Sequence, residues 1–130
     1  MTPKSVGDQE LALLKHIAEQ GGATVGEVAE GYGAPRGLAR STVLTMMERL
    51  RQKGHLDRRR SGGIFRYASR SSAGEVLQNA VRSFVEKTLG GSVSPVVAYL
   101  AESAPAVSDA ELAELEELVA RLQSRRKEEP

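Results

Sequence analysis

The 130-residue chain has no cysteine and no tryptophan, and its aromatic content is limited to two phenylalanines and three tyrosines. Without thiols the chain itself cannot form disulfides, cysteine-ligated zinc, iron–sulfur clusters or a thiol redox sensor. His16 and His55 stand apart from each other and from any carboxylate at ligand spacing, so no metal site and no cofactor are expected. No nucleophile has an evident base and no glycine-rich phosphate cradle is present, which argues against an enzyme. No segment approaches the roughly 18 consecutive apolar residues of a membrane helix, and Met1–Val6 lacks the apolar run of a signal peptide. The expectation is a soluble cytoplasmic protein with no membrane insertion, built as one domain or as one domain with a helical appendage.

What the chain does have is an uneven distribution of charge. Residues 1–70 hold 12 Lys/Arg against 7 Asp/Glu, whereas residues 71–130 hold 6 against 10. Within residues 36–70 the imbalance sharpens to 10 basic against 2 acidic, a concentration of positive potential suited to a polyanion.

That basic stretch coincides with a motif. In Ser41–Gly54, Val43, Met47 and Leu50 fall on one helical stripe, while Thr42, Thr45, Arg49 and Lys53 fall on the opposite one. One face is able to pack and the other to meet DNA, where threonine hydroxyls and arginine forks read base edges in the major groove. Arg40 and Ser41 open the same helix and extend that surface. Immediately after it, Leu56–Arg60, the turn Ser61–Gly62–Gly63 and Ile64–Ala68 read as a β-hairpin. Arg58, Arg60 and Arg66 on this hairpin suit phosphate contacts. Because side chains alternate across a strand, Arg58–Arg59–Arg60 cannot all face one way, and one of them should lie on the far face or pair with Asp57 or Glu48.

Upstream, Asp8 can cap a first helix bearing Leu11, Leu14, Ile17 and Ala18, which Gly21–Gly22 stops. Thr24–Val–Gly–Glu27 is a capping box for a short second helix from about Val25 to Gly31, followed by a turn-rich connection through Gly37 and a third helix from near Ala39. Three helices and a hairpin in some 68 residues spell a winged helix-turn-helix, so residues 1–70 are assigned to a DNA-binding domain of mainly α, α+β type.

Residues 71–127 are assigned to a helical dimerisation domain. Ser72–Ala–Gly–Glu75 is a second capping box, and Val76, Leu77, Ala80, Val81, Phe84, Val85 and Leu89 give the helix that follows an apolar side. Ser94–Pro95 suits an N-cap and first helical position for a short helix with Val96, Val97 and Leu100. Ser108–Asp–Ala–Glu111 caps a last helix, in which Leu112, Leu115, Val119 and Leu122 recur at spacings of three, four and three. So much apolar surface on short helices calls for a second copy of the chain; periodicity alone leaves open an intramolecular cap over the N-terminal domain.

Read together, Ala23–Val28, Leu38–Gly54 and Phe65–Arg66–Tyr67 resemble the BlaI/MecI penicillinase-repressor family. Its recognition-helix pattern of Thr-Val-x-Thr, Arg-Leu and Lys-Gly is met by Thr42, Val43, Thr45, Arg49, Leu50, Lys53 and Gly54, and the resemblance runs over roughly residues 8–122. It implies a homodimeric repressor on a palindromic operator in double-stranded DNA, dimerised through the C-terminal helices, with a role in the response to β-lactams or another stress. It also implies, for some members, a sensor metalloprotease or its signalling product as a partner, with cleavage at a bond that aligns near Ala98–Tyr99. Members that are cut carry Asn-Phe where this chain has Ala98–Tyr99, and the cysteine cluster of the copper-responsive branch is absent. Two other readings stay open: a regulator that senses a small molecule in a pocket near Phe84 and Tyr99, and a winged helix that binds an acidic protein instead of DNA.

Overall fold

The computed structural model describes residues 6–128. The chain divides into two compact units, one ending at Thr88 and the other beginning at Leu89. In the first, α1 (Asp8–Gln20) leads into a two-residue strand β1 (Ala23–Thr24), then α2 (Val25–Val28), α3 (Arg40–Gln52), the hairpin strands β2 (Leu56–Ser61) and β3 (Ile64–Ser69), and α4 (Ala73–Ser83). The three strands form an antiparallel sheet in the order β1-β3-β2, giving the α+β winged-helix architecture.

Two of the first three helix N-termini in this unit with a local capping signal follow it, and one does not. Thr24 and Ser72 close true capping boxes, each hydroxyl accepting from the amide three residues on while Glu27 and Glu75 accept from the cap amides. Asp8 is not the cap of α1: Gly7 holds that position without a side-chain bond, and Asp8 and Glu10 lie in the first turn, where their charge favours the helix dipole. At the other end Gly21, with φ 71°, donates back to Ala18 O.

The second helix, expected to reach about Gly31, is regular only to Val28, and the turn-rich connection after it is wound. Ala29–Gly33 makes a π turn and Ala34–Arg36 a 3-10 turn, which carry Tyr32 into the core and Gly33 against α3. A Cβ on Gly33 would lie 2.8 Å from Val43 Cγ2, so glycine is what permits the second helix to approach the third.

The hairpin register is Leu56↔Ser69, Arg58↔Tyr67, Arg60↔Phe65 and Ser61↔Ile64. Pairing of Ser61 with Ile64 shortens the expected three-residue turn to Gly62–Gly63, whose φ values of 59° and 81° suit a primed two-residue hairpin. The core of this unit joins Leu13, Leu14 and Ile17 of α1 to Val28, Tyr32, Val43, Met46, Met47, Leu50, Leu56 and Tyr67. Val76 completes it, because α4 lies against α1. This corrects its assignment to a dimer seam, and it places α4 and the π turn Phe84–Thr88 with the first compact unit, beyond the boundary expected after Arg70.

The second unit holds α5 (Ser94–Glu102), a 3-10 turn (Ala104–Ala106) and α6 (Asp109–Glu128). Ser94 is the first residue of α5 and Pro95 the second, the cap position falling to Val93 with no side-chain bond, so the expected Ser94 cap does not form. Ser108 and Glu111 do exchange the reciprocal bonds of a capping box. Among the described residues of this unit none is fully buried.

Candidate nucleic-acid interface

Helix α3 owes its position to four buried side chains, Val43, Met46, Met47 and Leu50, which pin one side to the core. The opposite side is exposed and carries Arg40, Ser41, Thr42, Thr45 and Arg49. Thr45 Oγ1 donates to Ser41 O at 3.0 Å, so its hydrogen is held within the helix and its methyl and oxygen lone pairs are what it offers outward. The Arg40 guanidinium lies beside Gly26, where a Cβ would stand 3.6 Å from Nη1. Leu44, 41% exposed, lies on the solvent side too; the sequence reading did not single it out.

Ten basic residues lie between 36 and 70, and the structure sorts them. Five hold carboxylates: Arg51 and Arg58 on Glu48, Lys53 on Glu10, Arg66 on Glu27 and Arg70 on Asp57. Lys53 therefore departs from its expected place on the DNA-facing stripe; its Nζ is 2.7 Å from Glu10 Oε2 and clamps the end of α3 to α1. Arg58, also expected at phosphates, is 2.7 Å from Glu48 Oε1, as the alternation argument allowed for one of the three arginines. Arg66 is more loosely engaged, 3.3 Å from Glu27 Oε1, with both side chains about half exposed.

The remaining five have no carboxylate partner among the described residues. Arg36 donates to Tyr32 O and covers the Tyr32 ring at 3.8 Å, which leaves Arg40, Arg49, Arg59 and Arg60. On the hairpin, Arg58, Arg60, Phe65 and Tyr67 share one face: Tyr67 is buried, while Phe65 sits under both guanidiniums, 4.2 Å from Arg58 and 5.1 Å from Arg60. Arg59 and Arg66 lie opposite each other on the other face, a like-charge pair that Glu27 offsets at Arg66.

The carboxylates of this surface are held ionised. Glu48 is lowered from its ordinary value first by the Arg51 hydrogen bond; burial opposes this as the next largest effect, and the charges of Arg51 and Arg58 and the nearby Tyr67 hydroxyl lower it by less. Glu27 is lowered mainly by the Thr24 amide and hydroxyl, with Arg66 contributing less.

The residues proposed for association divide between the units. On α4 and the π turn after it, Leu77, Val81 and Phe84 are exposed, while Ala80 and Val85 are partly covered. In the second unit Val97, Tyr99, Leu112, Val119 and Leu122 are exposed, and Leu89, Val96, Leu100 and Leu115 are partly covered. Leu100, Val107, Leu115 and Leu118 line an open groove edged by Glu111, Glu114 and Arg121. Tyr99 does not line it. Ala98 and Tyr99 both lie inside α5.

A packed helix presenting polar and basic side chains beside a basic hairpin defines the class, a winged helix-turn-helix DNA-binding protein. The chain matches the family described as penicillinase repressor over residues 6–121. It is 24% identical over 123 residues to the penicillinase repressor of Bacillus licheniformis, covering 95% of each chain. The DNA-binding domain of the repressor BlaI superposes with a TM-score of 0.50 at 25% identity, over 55% of this chain and 87% of that one. A MarR family protein from Bacillus stearothermophilus shares the fold at a TM-score of 0.50 and 18% identity, over 96% and 78%. The chain belongs to the penicillinase repressor family, whose members are DNA-binding transcriptional repressors and not an enzyme class.

Proposed function

We propose that this repressor binds a palindromic operator as a homodimer, with one α3 in each of two successive major grooves and the hairpins against flanking phosphates. The observation that carries this reading is the exposed face of α3, where Arg40, Ser41, Thr42, Thr45 and Arg49 stand clear of the core, together with exposed Arg60 on the hairpin that follows. Bases are read by the helix and phosphates are gripped by Arg59, Arg60 and, once detached from Glu27, Arg66. Bound at a promoter, the dimer obstructs RNA polymerase.

Support for the dimer comes from the apolar side chains left in solvent by a single copy: Leu77, Val81 and Phe84 in the first unit and Val97, Leu112, Val119 and Leu122 in the second. Dimerisation raises the effective concentration of the second DNA-binding unit and multiplies affinity by roughly 10² to 10⁴. Release from DNA then follows from loss of the dimer. A sensor protease acting near Ala98–Tyr99 would achieve it, and since this bond lies in α5 the helix has to open before cleavage. The regulated genes belong, on the family's example, to a β-lactam or other stress response.

The test is selection of binding sites from a random duplex library, followed by footprinting on the selected sequence. An inverted repeat with half-sites about 10 base pairs apart, or a multiple of that spacing, supports the proposal. Recovery of no sequence preference from the library rejects it.

A further inference from the structure

The carboxylate of Glu48 joins the recognition helix to the wing. Its Oε2 is 2.7 Å from Arg51 Nε and its Oε1 2.7 Å from Arg58 Nη1, with 3.5 Å from Oε1 to Arg51 Nη2. Standing three residues after Thr45 on α3, Glu48 borders the exposed face. Arg58 is held from two sides, by Glu48 and by the Phe65 ring 4.2 Å away, and only 30% of its side chain is exposed. Arg60 lies 5.1 Å from the same Phe65 ring, and Asp57, next to Arg58 along β2, is paired with Arg70.

A lone acid in a surface built to meet phosphates weakens binding to every duplex equally, unless it is paired with cations that would otherwise bind phosphate. Glu48 is so paired, twice. We propose that Glu48 is a specificity-determining residue: by holding Arg51 and Arg58 it withholds two guanidiniums from the DNA backbone. Affinity for random sequence then stays low while Thr42, Thr45 and Arg49 remain free to read bases. The inference rests on the DNA-binding reading above. Its physical basis is that phosphate contacts add affinity without sequence information, so sequestering them raises the ratio of operator to random binding.

The full-length wild type, Glu48→Gln, Arg58→Ala and the double variant are titrated against a random-sequence duplex and the selected operator between 50 and 200 mM salt. Glutamine keeps the shape of Glu48 and removes its charge. Glu48→Gln is expected to bind the random duplex about five- to tenfold more tightly at 0.1 M salt, with a salt slope steeper by about 1 for each guanidinium released. The operator gains less, so the ratio falls. Arg58→Ala alone leaves the random-duplex slope unchanged, and in the Glu48→Gln background it removes the share of the gain due to Arg58. Weaker or unchanged random binding by a folded Glu48→Gln, or a slope flattened by about 1 in Arg58→Ala alone, overturns the proposal. Should Glu48→Gln fail to fold, the slope of Arg58→Ala decides alone. A wild type that binds neither duplex at low salt overturns the DNA-binding reading itself, a different result from any of these.

Discussion

Lys53 Nζ sits 2.7 Å from Glu10 Oε2, joining the last residues of the recognition helix to the first turn of α1 across 43 positions of sequence. Glu10 is only 14% exposed at its side chain, so removing the lysine leaves a carboxylate poorly hydrated and unpaired. Lys53→Ala should therefore lower stability by about 1–2 kcal/mol in urea unfolding. Its salt slope on DNA should match that of the wild type, since the ammonium is engaged within the protein. A slope reduced by about 1 would return Lys53 to the phosphate-contacting set.

Thr45 separates two ways of reading a base. Its hydroxyl hydrogen is committed to Ser41 O at 3.0 Å, which leaves the methyl as its contribution to apolar recognition of thymine. Thr45→Val should keep operator affinity within about threefold, whereas Thr45→Ser should lose most of what Thr45→Ala loses, about 1–3 kcal/mol for a contact that discriminates bases. Competition binding with operator variants measures this, and the reverse order of Val and Ser would show that the hydroxyl is the reading group. Arg49→Ala should cost a similar amount, with random-sequence binding less affected.

Val119 and Leu122 are 51% and 53% exposed in one copy of the chain. A glutamate at either place costs little in an isolated helix, whereas in a buried seam it costs several kcal/mol, on the order of 3. Val119→Glu and Leu122→Glu should thus shift the protein toward monomer in sedimentation equilibrium while leaving its helical content unchanged. Leu115 is a less informative probe, because it already lines a groove within the second unit and a charge there also disturbs local packing.

Gly33 tests the packing of the second helix on the third. A Cβ there would meet Val43 Cγ2 at 2.8 Å and Leu38 O at 3.2 Å, and Val43 is fully buried. Gly33→Ala should destabilise the domain by about 1–3 kcal/mol through overpacking, read as a lower urea midpoint at unchanged slope.

Acid should weaken the fold in a stated direction. Glu27, Glu48, Glu75 and Glu111 all lie below the ordinary value of 4.5, three through capping-box bonds to Thr24, Ser72 and Ser108, and Glu48 first through Arg51. A carboxyl depressed on folding contributes stability that is complete above the unfolded value and is lost as pH falls through the folded one. Stability from these four groups should be level from neutrality down to about pH 5.5 and then decline below 4.5. Replacing Glu48 with Gln should reduce the decline, as followed by thermal melts across that range.

Much of the fold was legible along the chain. The capping boxes at Thr24, Ser72 and Ser108 formed as read, since their partners are three residues apart. The stripe of Val43, Met47 and Leu50 packed as its period required. Strand β1 escaped notice because two residues, Ala23 and Thr24, carry no alternation to detect; they are a strand only because Tyr67 and Arg66 lie alongside. Val76 was read as part of a seam because an apolar helix face looks the same whether it meets α1 or a second chain.

The candidate site divides along the same line. By itself the sequence determined that an amphipathic helix with Thr42, Thr45 and Arg49 on its polar side is followed by a basic hairpin, because helical and strand periods are set by residues a few positions apart. Tertiary structure alone decided which cations are free. Arg66 found Glu27 across 39 positions, Lys53 found Glu10 across 43 and Arg58 found Glu48 across 10, and these choices depended on how the hairpin packs on α2 and α3 and how α1 packs on α3. An ion pair forms between groups a few ångströms apart in space, a distance that spacing along the chain does not contain.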